Sequence, residues 1–563
     1  MVGITIATNM GLFMMIPSYN PTTDNGLIIS RFGRKPSKLW CMASSAAAHL
    51  TGLDHPPSSH VQRRSGNYGP SFWDFNYIQS LNSEYTDERY LRRVSELKVE
   101  VKKMLVQEKE VWSVDELLEL VDELQRVGIS YHFEDEINQI LTSVYDHKYA
   151  VGKNNSESHE GKERDLYPTA LAFRLLRQHG FTVSQEIFDC FRNEKGDFDP
   201  NLGHDTKGLL QLYEASFLST PGEKTLDLAR EFATNFLQEN PNEKIDESLS
   251  ILVRHALELP THWRVQRPNT RWFIEAYERR PDVKSVVLEL AKLDFNIVQA
   301  THQQELKHVY GWWKQTGIAE HLPFARDRMV ECYFWTIGVF SHPQYSYPRI
   351  MASKFNALIT VIDDMFDVYA THQELLLFYD AIQRWDVEAI DQLPNYMQIC
   401  YLALYNFINE MAYDVLKQQG LLIIPHFTNP IESEVVQSLY KYHNLVRYSS
   451  IILRLADDLE TSMDELKRGD VPKSIECYMN ESGGSREEAV EYIRFVIGET
   501  WKNMNQEAFV AEESPLLFPQ DFVRIAADLA RMAQYMYHDG DGHGLQNCNI
   551  NTRISTLLFH PIP

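Results

Sequence analysis

The chain has little cysteine, and what it has does not cluster. Cys41, Cys190, Cys332, Cys400, Cys477 and Cys548 are scattered over 563 residues with no CxxC pair. That spacing argues against a zinc site or a disulfide framework and for a reducing compartment. No apolar run approaches the ~18–20 residues of a membrane-crossing helix, so no membrane partner is expected. Basic residues are also in deficit, with 54 Lys plus Arg against 78 Asp plus Glu and a net charge of −24. Such a surface disfavours nucleic acid and anionic lipid as partners. An anionic substrate must then be held by a local cluster of cations or by metal ions. Alternating strand patterns are scarce and no period of 20–50 residues repeats, which argues against β-rich folds and solenoids.

What is present fits a large all-α protein. Length alone favours two or three domains, and 44% hydrophobic with 23% charged residues are globular values. Aromatic residues reach 12%, enough to line an apolar cavity, although most belong to any ordinary core. Residues 1–60 differ from the rest, with seven Ser, four basic residues, no Glu and only Asp24 and Asp54 as acids. Serine-rich, acid-poor composition reads as an organelle transit peptide, or more plainly as a disordered terminus. From about Trp73 the pattern is helical. Val286, Leu290, Leu293 and Ile297, for example, fall on one helix face. A domain boundary is expected near Arg264 to Arg271, which gives units of 61–270 and 271–563.

Two segments carry chemistry. In KFNALITVIDDMFDVYA, residues 354–370, an apolar helix bears Asn356, Thr360, Asp363 and Asp367 at i, i+4, i+7 and i+11, one polar line on one face. Carboxylates on a buried helix are costly unless paired, and a bound cation removes that cost. Oxygen-only ligands suit magnesium. Alone, the pattern equally describes a solvated helix end. A second line repeats it: Arg454, Asp457, Thr461 and Glu465 lie at i, i+3, i+7 and i+11. A salt-bridge ladder is the alternative there, but Asp457, Thr461 and Glu465 have no opposite-sign i,i+4 pattern among themselves. Arg326, Arg328 and Lys473 are cations suited to phosphate oxygens, or else ordinary surface charges.

Together these residues resemble the plant class I terpene synthases. DDMFD at 363–367 is similar to their aspartate-rich motif, whose carboxylates include Asp364. LADDLETSMDE at 455–465 resembles the second metal motif, and RDR at 326–328 the arginine motif. Arg63-Arg64, eight residues and then Trp73 resemble the RRx8W motif of monoterpene synthases. LQLYEAS, RGDVPKSIECYM and GDGHG are further similar segments. The resemblance runs from about residue 61 to the end. It implies a relic N-terminal α-barrel domain and a C-terminal catalytic α-bundle. It further implies three Mg2+ ions, or Mn2+, held by Asp363, Asp364, Asp367, Asp457, Thr461 and Glu465. The substrate would be a prenyl diphosphate, geranyl diphosphate first, met by Arg326, Arg328, Arg454 and Lys473 together with Asp363, Asp367 and Asp457. Trp335 and Tyr537 would face the carbocation, with Asn356 and His543 as polar groups beside it. A plastid location, a monomer and a cyclic product of the α-terpineol, cineole or limonene type are the corresponding expectations. No DxDD motif is present, so protonation-initiated cyclisation is not expected.

One departure stands out. Asp363 and Asp457 are 94 residues apart, closer than the resemblance requires. The shortfall falls between Phe427 and Thr428 and amounts to roughly 45–50 residues, two to three helices at about 1.5 Å rise per residue. A chain without them would have an open cavity and impaired activity. Other readings are a sesquiterpene synthase using farnesyl diphosphate, an isoprenyl diphosphate synthase, and a non-catalytic isoform. The second of these should carry two aspartate-rich motifs in a much shorter chain.

Overall fold

The computed structural model describes residues 63–106, 113–148, 165–239, 246–420, 444–468, 472–513, 520–538 and 548–563. The leader expected at 1–60, the junction at 427–428 and His543 lie outside them, and the side chain of Glu465 is likewise not described. Among the described residues the fold is helical throughout, with a single isolated antiparallel bridge between Arg192 and Phe198.

The N-terminal half holds α1 (Glu88–Val106), α2 (Val114–Arg126), α3 (Glu134–Lys148), α4 (Leu166–Gln178), α5 (Thr206–Ser216), α6 (Lys224–Glu239) and α7 (Glu247–Glu258). After α8 (Gln266–Glu278) come α9 (Ser285–Thr316), α10 (Met329–Val339), α11 (Ser346–Asp364), α12 (His372–Arg384) and α13 (Asn395–Gly420). The chain ends with α14 (Asn444–Arg468), α15 (Ser474–Ser482), α16 (Arg486–Glu513), α17 (Gln520–Met536) and α18 (Cys548–Leu558). Local chemistry sets several ends. Ser113 and Glu116 form a reciprocal capping box at the start of α2, as Thr371 and Glu374 do at α12. Gly317 stops α9 with φ of +66°, a conformation in which any Cβ is strained. The boundary segment around Arg264–Arg271 is not an extended linker; α8 begins inside it, with Pro268 in its first turn, where the missing N–H costs nothing.

The expected helix around Leu290 exists, but its most buried face is turned from the apolar line. Val286, Leu293 and Ile297 are only half-buried, whereas Asp294, Asn296, Gln299, His302 and Gln303 are buried. For the three amides the reason is the C-terminus; Asp294 is met instead by Tyr131 and His132. The Asn296 amide donates to the Ile562 carbonyl and accepts from its N–H, both at 2.8 Å, and Gln299 and Gln303 donate to the carbonyls of Leu557 and Leu558. These buried polar side chains are satisfied by a peptide segment remote in sequence.

The described apolar core forms two clusters. The larger runs through the N-terminal half and α9–α13; the smaller joins α14, α15 and α16. Both rest on α17, which gives Ile525, Leu529, Met532, Ala533 and Met536 to the first and Phe522, Ala526 and Ala530 to the second. α14 packs on α16 and α17, α17 on α10, and α10 on α11. At the α10–α17 crossing a Cβ on Gly338 would stand 2.2 Å from the Met532 sulfur, so glycine sets the approach. Arg531 of α17 also grips the junction between the halves, donating to the His262 carbonyl at 2.8 Å. The His262 ring meets Asn505, whose amide bonds the carbonyls of Phe217 and Ser219.

Burial lowers the pKa of several histidines, His342 to about 3 and His255 to about 4. Their folded values lie below the unfolded one, so the stabilisation is complete above about pH 6.5 and is lost as the pH falls toward 4. Unfolding curves of the parent and of His342→Phe between pH 7.5 and 4 should diverge, with the parent losing up to about 1.4 kcal/mol more per pH unit. Parallel curves would show that His342 is not held neutral.

Candidate active site

α11 is apolar enough to be buried on nearly every side, and from Met351 to Met365 only Asn356, Thr360 and Asp363 are not. Asp367, in the π-turn Met365–Tyr369 that follows, is exposed. The polar line read from the sequence is thus the one side of this helix left open. Single π-turns of this kind are frequent at functional sites. Burial, then the neighbouring Asp367 carboxylate, pushes Asp363 up to about 6, against the pull of Arg326. Negative charge is concentrated where a cation would relieve it.

The two aspartates of the pair have different surroundings. Asp364 is rotated about 100° from the open line and is 1% exposed. Its Oδ2 accepts the Arg326 main-chain N–H at 2.7 Å and Nε at 3.1 Å, and its Oδ1 meets the second guanidinium nitrogen at 2.9 Å. Both oxygens of Asp364 therefore anchor the arginine segment to α11. The same division recurs on α14. Asp457 and Thr461 stand in the second line and are nearly buried, while the adjacent Asp458 accepts from Arg454 Nε at 2.6 Å and from the Ser474 N–H at 3.0 Å. Arg454 also lies 3.1 Å from Asp457, so it folds along its own helix. The Ser474 contact joins α14 to α15 beside Lys473, whose own N–H bonds Glu476. In each helix one aspartate fixes a neighbouring segment and its partner stays in the polar line.

Trp335 and Tyr537, paired here by α10 and α17, meet edge to face with ring centroids 6.1 Å apart. They stand where the helix carrying the first line and the helix carrying the second are linked.

The Arg63–Trp73 segment is a strap laid along the π-turn that carries Asp367 and along the arginine segment. Arg63 donates to the Tyr369 carbonyl and to both Glu374 oxygens at 3.0 and 2.8 Å, and lies over the rings of Tyr369 and Tyr396. Arg64 donates to the Asp367 carbonyl. In mid-strap, the Tyr68 ring is 5.2 Å from the Arg326 guanidinium, and the Gly69 carbonyl accepts from Arg328 at 3.3 Å. Trp73 Nε1 donates to Glu331 at 3.2 Å. Asp458, Glu331 and Glu374 carried no sequence signal of these roles, because each acts through a partner brought in by folding.

The donor set fits a hard divalent cation, being oxygen throughout. Among the described residues no three His, Cys, Asp or Glu side chains converge on one point. Mg2+ commonly takes one or two carboxylates and completes its shell with substrate phosphates and water, so two separated lines are compatible with such ions.

Two family models match this chain: the terpene synthase N-terminal domain over residues 72–257, and the terpene synthase metal-binding domain over 314–431 and 421–503. The chain belongs to the terpene synthase family. Cineole synthase 1, chloroplastic, of Salvia fruticosa is 51% identical over 554 aligned positions, covering 89% of this chain and 90% of that one. Among solved structures, limonene synthase with 2-fluorolinalyl diphosphate superposes with a TM-score of 0.83 at 48% identity, covering 89% of this chain and all of that one. Isoprene synthase of grey poplar, solved with three Mg2+ ions and dimethylallyl-S-thiolodiphosphate, gives 0.75 at 38% identity, covering 88% and 99%. Cineole synthase and limonene synthase are monoterpene synthases, and the two halves of this terpene synthase are the two all-α domains of the family. The metal-binding match breaks between 421 and 431. The 554 positions aligned with cineole synthase also exceed the 89% of this 563-residue chain that enters them, so that relative has residues with no counterpart here.

The two aspartates should respond oppositely to substitution. In metal-free protein at pH 8, Asp363→Asn removes a disfavoured charge and should stabilise by on the order of 1 kcal/mol. Asp364→Asn removes the carboxylate charge that holds Arg326 and should destabilise by about 3 kcal/mol. Denaturant unfolding of both variants measures this; a loss of stability in Asp363→Asn would mean that its carboxylate is already well paired.

Proposed function

We propose that this chain is a monoterpene synthase that ionises geranyl diphosphate with Mg2+, acting in plastids as the name of its chloroplastic relative supports. The observation that carries the reading is the burial pattern of α11 from Met351 onward, where only Asn356, Thr360 and Asp363 are not buried and the exposed Asp367 follows in the π-turn. Asp363, Asp367, Asp457 and Thr461, with Glu465, are the residues to hold the metal, with Asp364 acting as the anchor of Arg326. Bound there, Mg2+ would supply Lewis-acid neutralisation of the diphosphate.

The chain's own groups do the rest. Arg326 and Arg328, seated by Asp364 and by the strap, with Arg454 and Lys473 on the far side, receive the diphosphate as the allylic C–O bond breaks and its electron pair leaves with oxygen. The allylic cation then lies against Trp335 and Tyr537, whose ring faces stabilise positive charge by about 0.5–2 kcal/mol each. Asn356 and His543 are the polar groups to orient it. Loss of a proton from carbon gives an olefin; addition of water and loss of a proton gives an alcohol. Cyclic products of the α-terpineol, cineole or limonene type follow if the cation closes before either event.

The chain also lacks, on this reading, a segment between α13 and α14. The separation of 94 residues between Asp363 and Asp457, the break in the metal-binding match and the excess of aligned positions support it. A site missing that wall admits water and shifts products toward alcohols.

The test is product analysis by gas chromatography–mass spectrometry after incubation of the chain from Gln62 with geranyl diphosphate and Mg2+. A second protein should carry the corresponding segment of the cineole synthase relative. Monoterpenes are expected from both, abolished by chelator, with a larger alcohol fraction from the shorter chain. Product formation unaffected by chelator would refute the metal-dependent ionisation. Identical product mixtures would refute the missing wall.

A further inference from the structure

Glu331 stands beside Arg328 and the strap, yet the reaction above gives it no task. It is the third residue of α10 and is 4% exposed. One carboxyl oxygen accepts from Trp73 Nε1 and the other has no hydrogen-bond partner. Burial pushes this carboxyl up to about 7, with Asp327 adding to the push, while its own main-chain N–H, Arg328 and the Trp73 N–H act in the other direction. A half-satisfied acid in an apolar setting costs stability that a leucine would not. What it offers in return is a fixed acceptor for one indole.

That indole ends the strap. The Trp73 backbone is tied separately, by the Tyr310 hydroxyl at 3.0 Å, and its ring packs against Phe72 and Phe559. The far end is clasped by Arg63 on Glu374. Between these two fixed points lie Tyr68 and Gly69, which touch Arg326 and Arg328. The strap therefore connects the Trp73–Glu331 hydrogen bond to both guanidinium groups.

We propose that Glu331 is a positioning residue of this synthase: by holding Trp73 it sets the strap, and through the strap it seats Arg326 and Arg328 and keeps water from that side of the site. This rests on reading the site as one that ionises a prenyl diphosphate. The arginines contact diphosphate before and during ionisation, so loosening them removes binding common to ground and transition states.

The test compares Glu331→Leu, Trp73→Phe, their combination and Glu331→Gln in the full chain. The Leu and Phe variants should each raise KM for geranyl diphosphate about tenfold, equivalent to about 1.4 kcal/mol, leave kcat within about twofold and increase the alcohol fraction. The double variant should be no worse than either single one. Glu331→Gln keeps an oxygen acceptor and should behave as the parent. Amide exchange along residues 64–72 should become about tenfold faster in Glu331→Leu while α11 is unchanged. Should Glu331→Leu not fold, Trp73→Phe carries the same readouts. Strap exchange unchanged in the variants, or additive effects on KM, would overturn the proposal. If the parent makes no terpene, the functional reading fails, and the exchange measurement still decides whether Glu331 holds the strap.

Discussion

The ion pair between Arg326 and Asp364 is the interaction on which the geometry of the site depends. It is nearly buried and bidentate, and a main-chain N–H donated to the same carboxylate reinforces it. A buried pair of this kind is weak evidence for net stability, since desolvation offsets much of the attraction. Its value is positional. It ties the segment before α10 to the end of α11, and so fixes two phosphate-binding candidates relative to the carboxylates expected to hold metal. With Asp364 engaged, Asp363 and Asp367 remain as the open acids of the helix.

The second line reaches the first only through packing. α14 belongs to a smaller apolar cluster, and α17, buried on two faces, joins that cluster to the larger one. The aromatic pair Trp335 and Tyr537 sits on this same connection. One element thus links the two helices that carry the polar lines, pairs the aromatic residues and, through Arg531, grips the boundary between the halves. A helix with apolar residues on two faces has little freedom to rotate, because turning it would expose one core to improve the other.

The strap adds a third kind of control. It contributes few groups of its own to the open lines, but its bonds end on the residues that shape them: the Asp367 carbonyl, Glu374, Arg328 and Glu331. In an acidic chain, locally clustered arginines of this sort provide the positive potential that the net charge denies elsewhere. Two of these arginines are held by carboxylates, Arg63 by Glu374 and Arg326 by Asp364.

Much of this was legible in the residues themselves. Helical periodicity gave the fold class, and the spacing of Asn356, Thr360, Asp363 and Asp367 placed them on one face, because side-chain direction along a helix is fixed by 3.6 residues per turn. Order and spacing of the motifs carried the family. Spacing put Asp363 and Asp457 in the polar lines, but it did not reveal what the neighbouring aspartate of each pair does. Only the approach of Arg326 from another segment makes Asp364 an anchor. On α9 spacing placed Leu290 in the core correctly but did not reveal the buried amides Asn296, Gln299 and Gln303, which a distant C-terminal segment meets. The sequence by itself determined the helices and the chemistry on each face, which depend on neighbours a few residues apart. Tertiary structure alone decided which acids anchor, which tryptophan latches and which faces close, because those outcomes depend on partners hundreds of residues away.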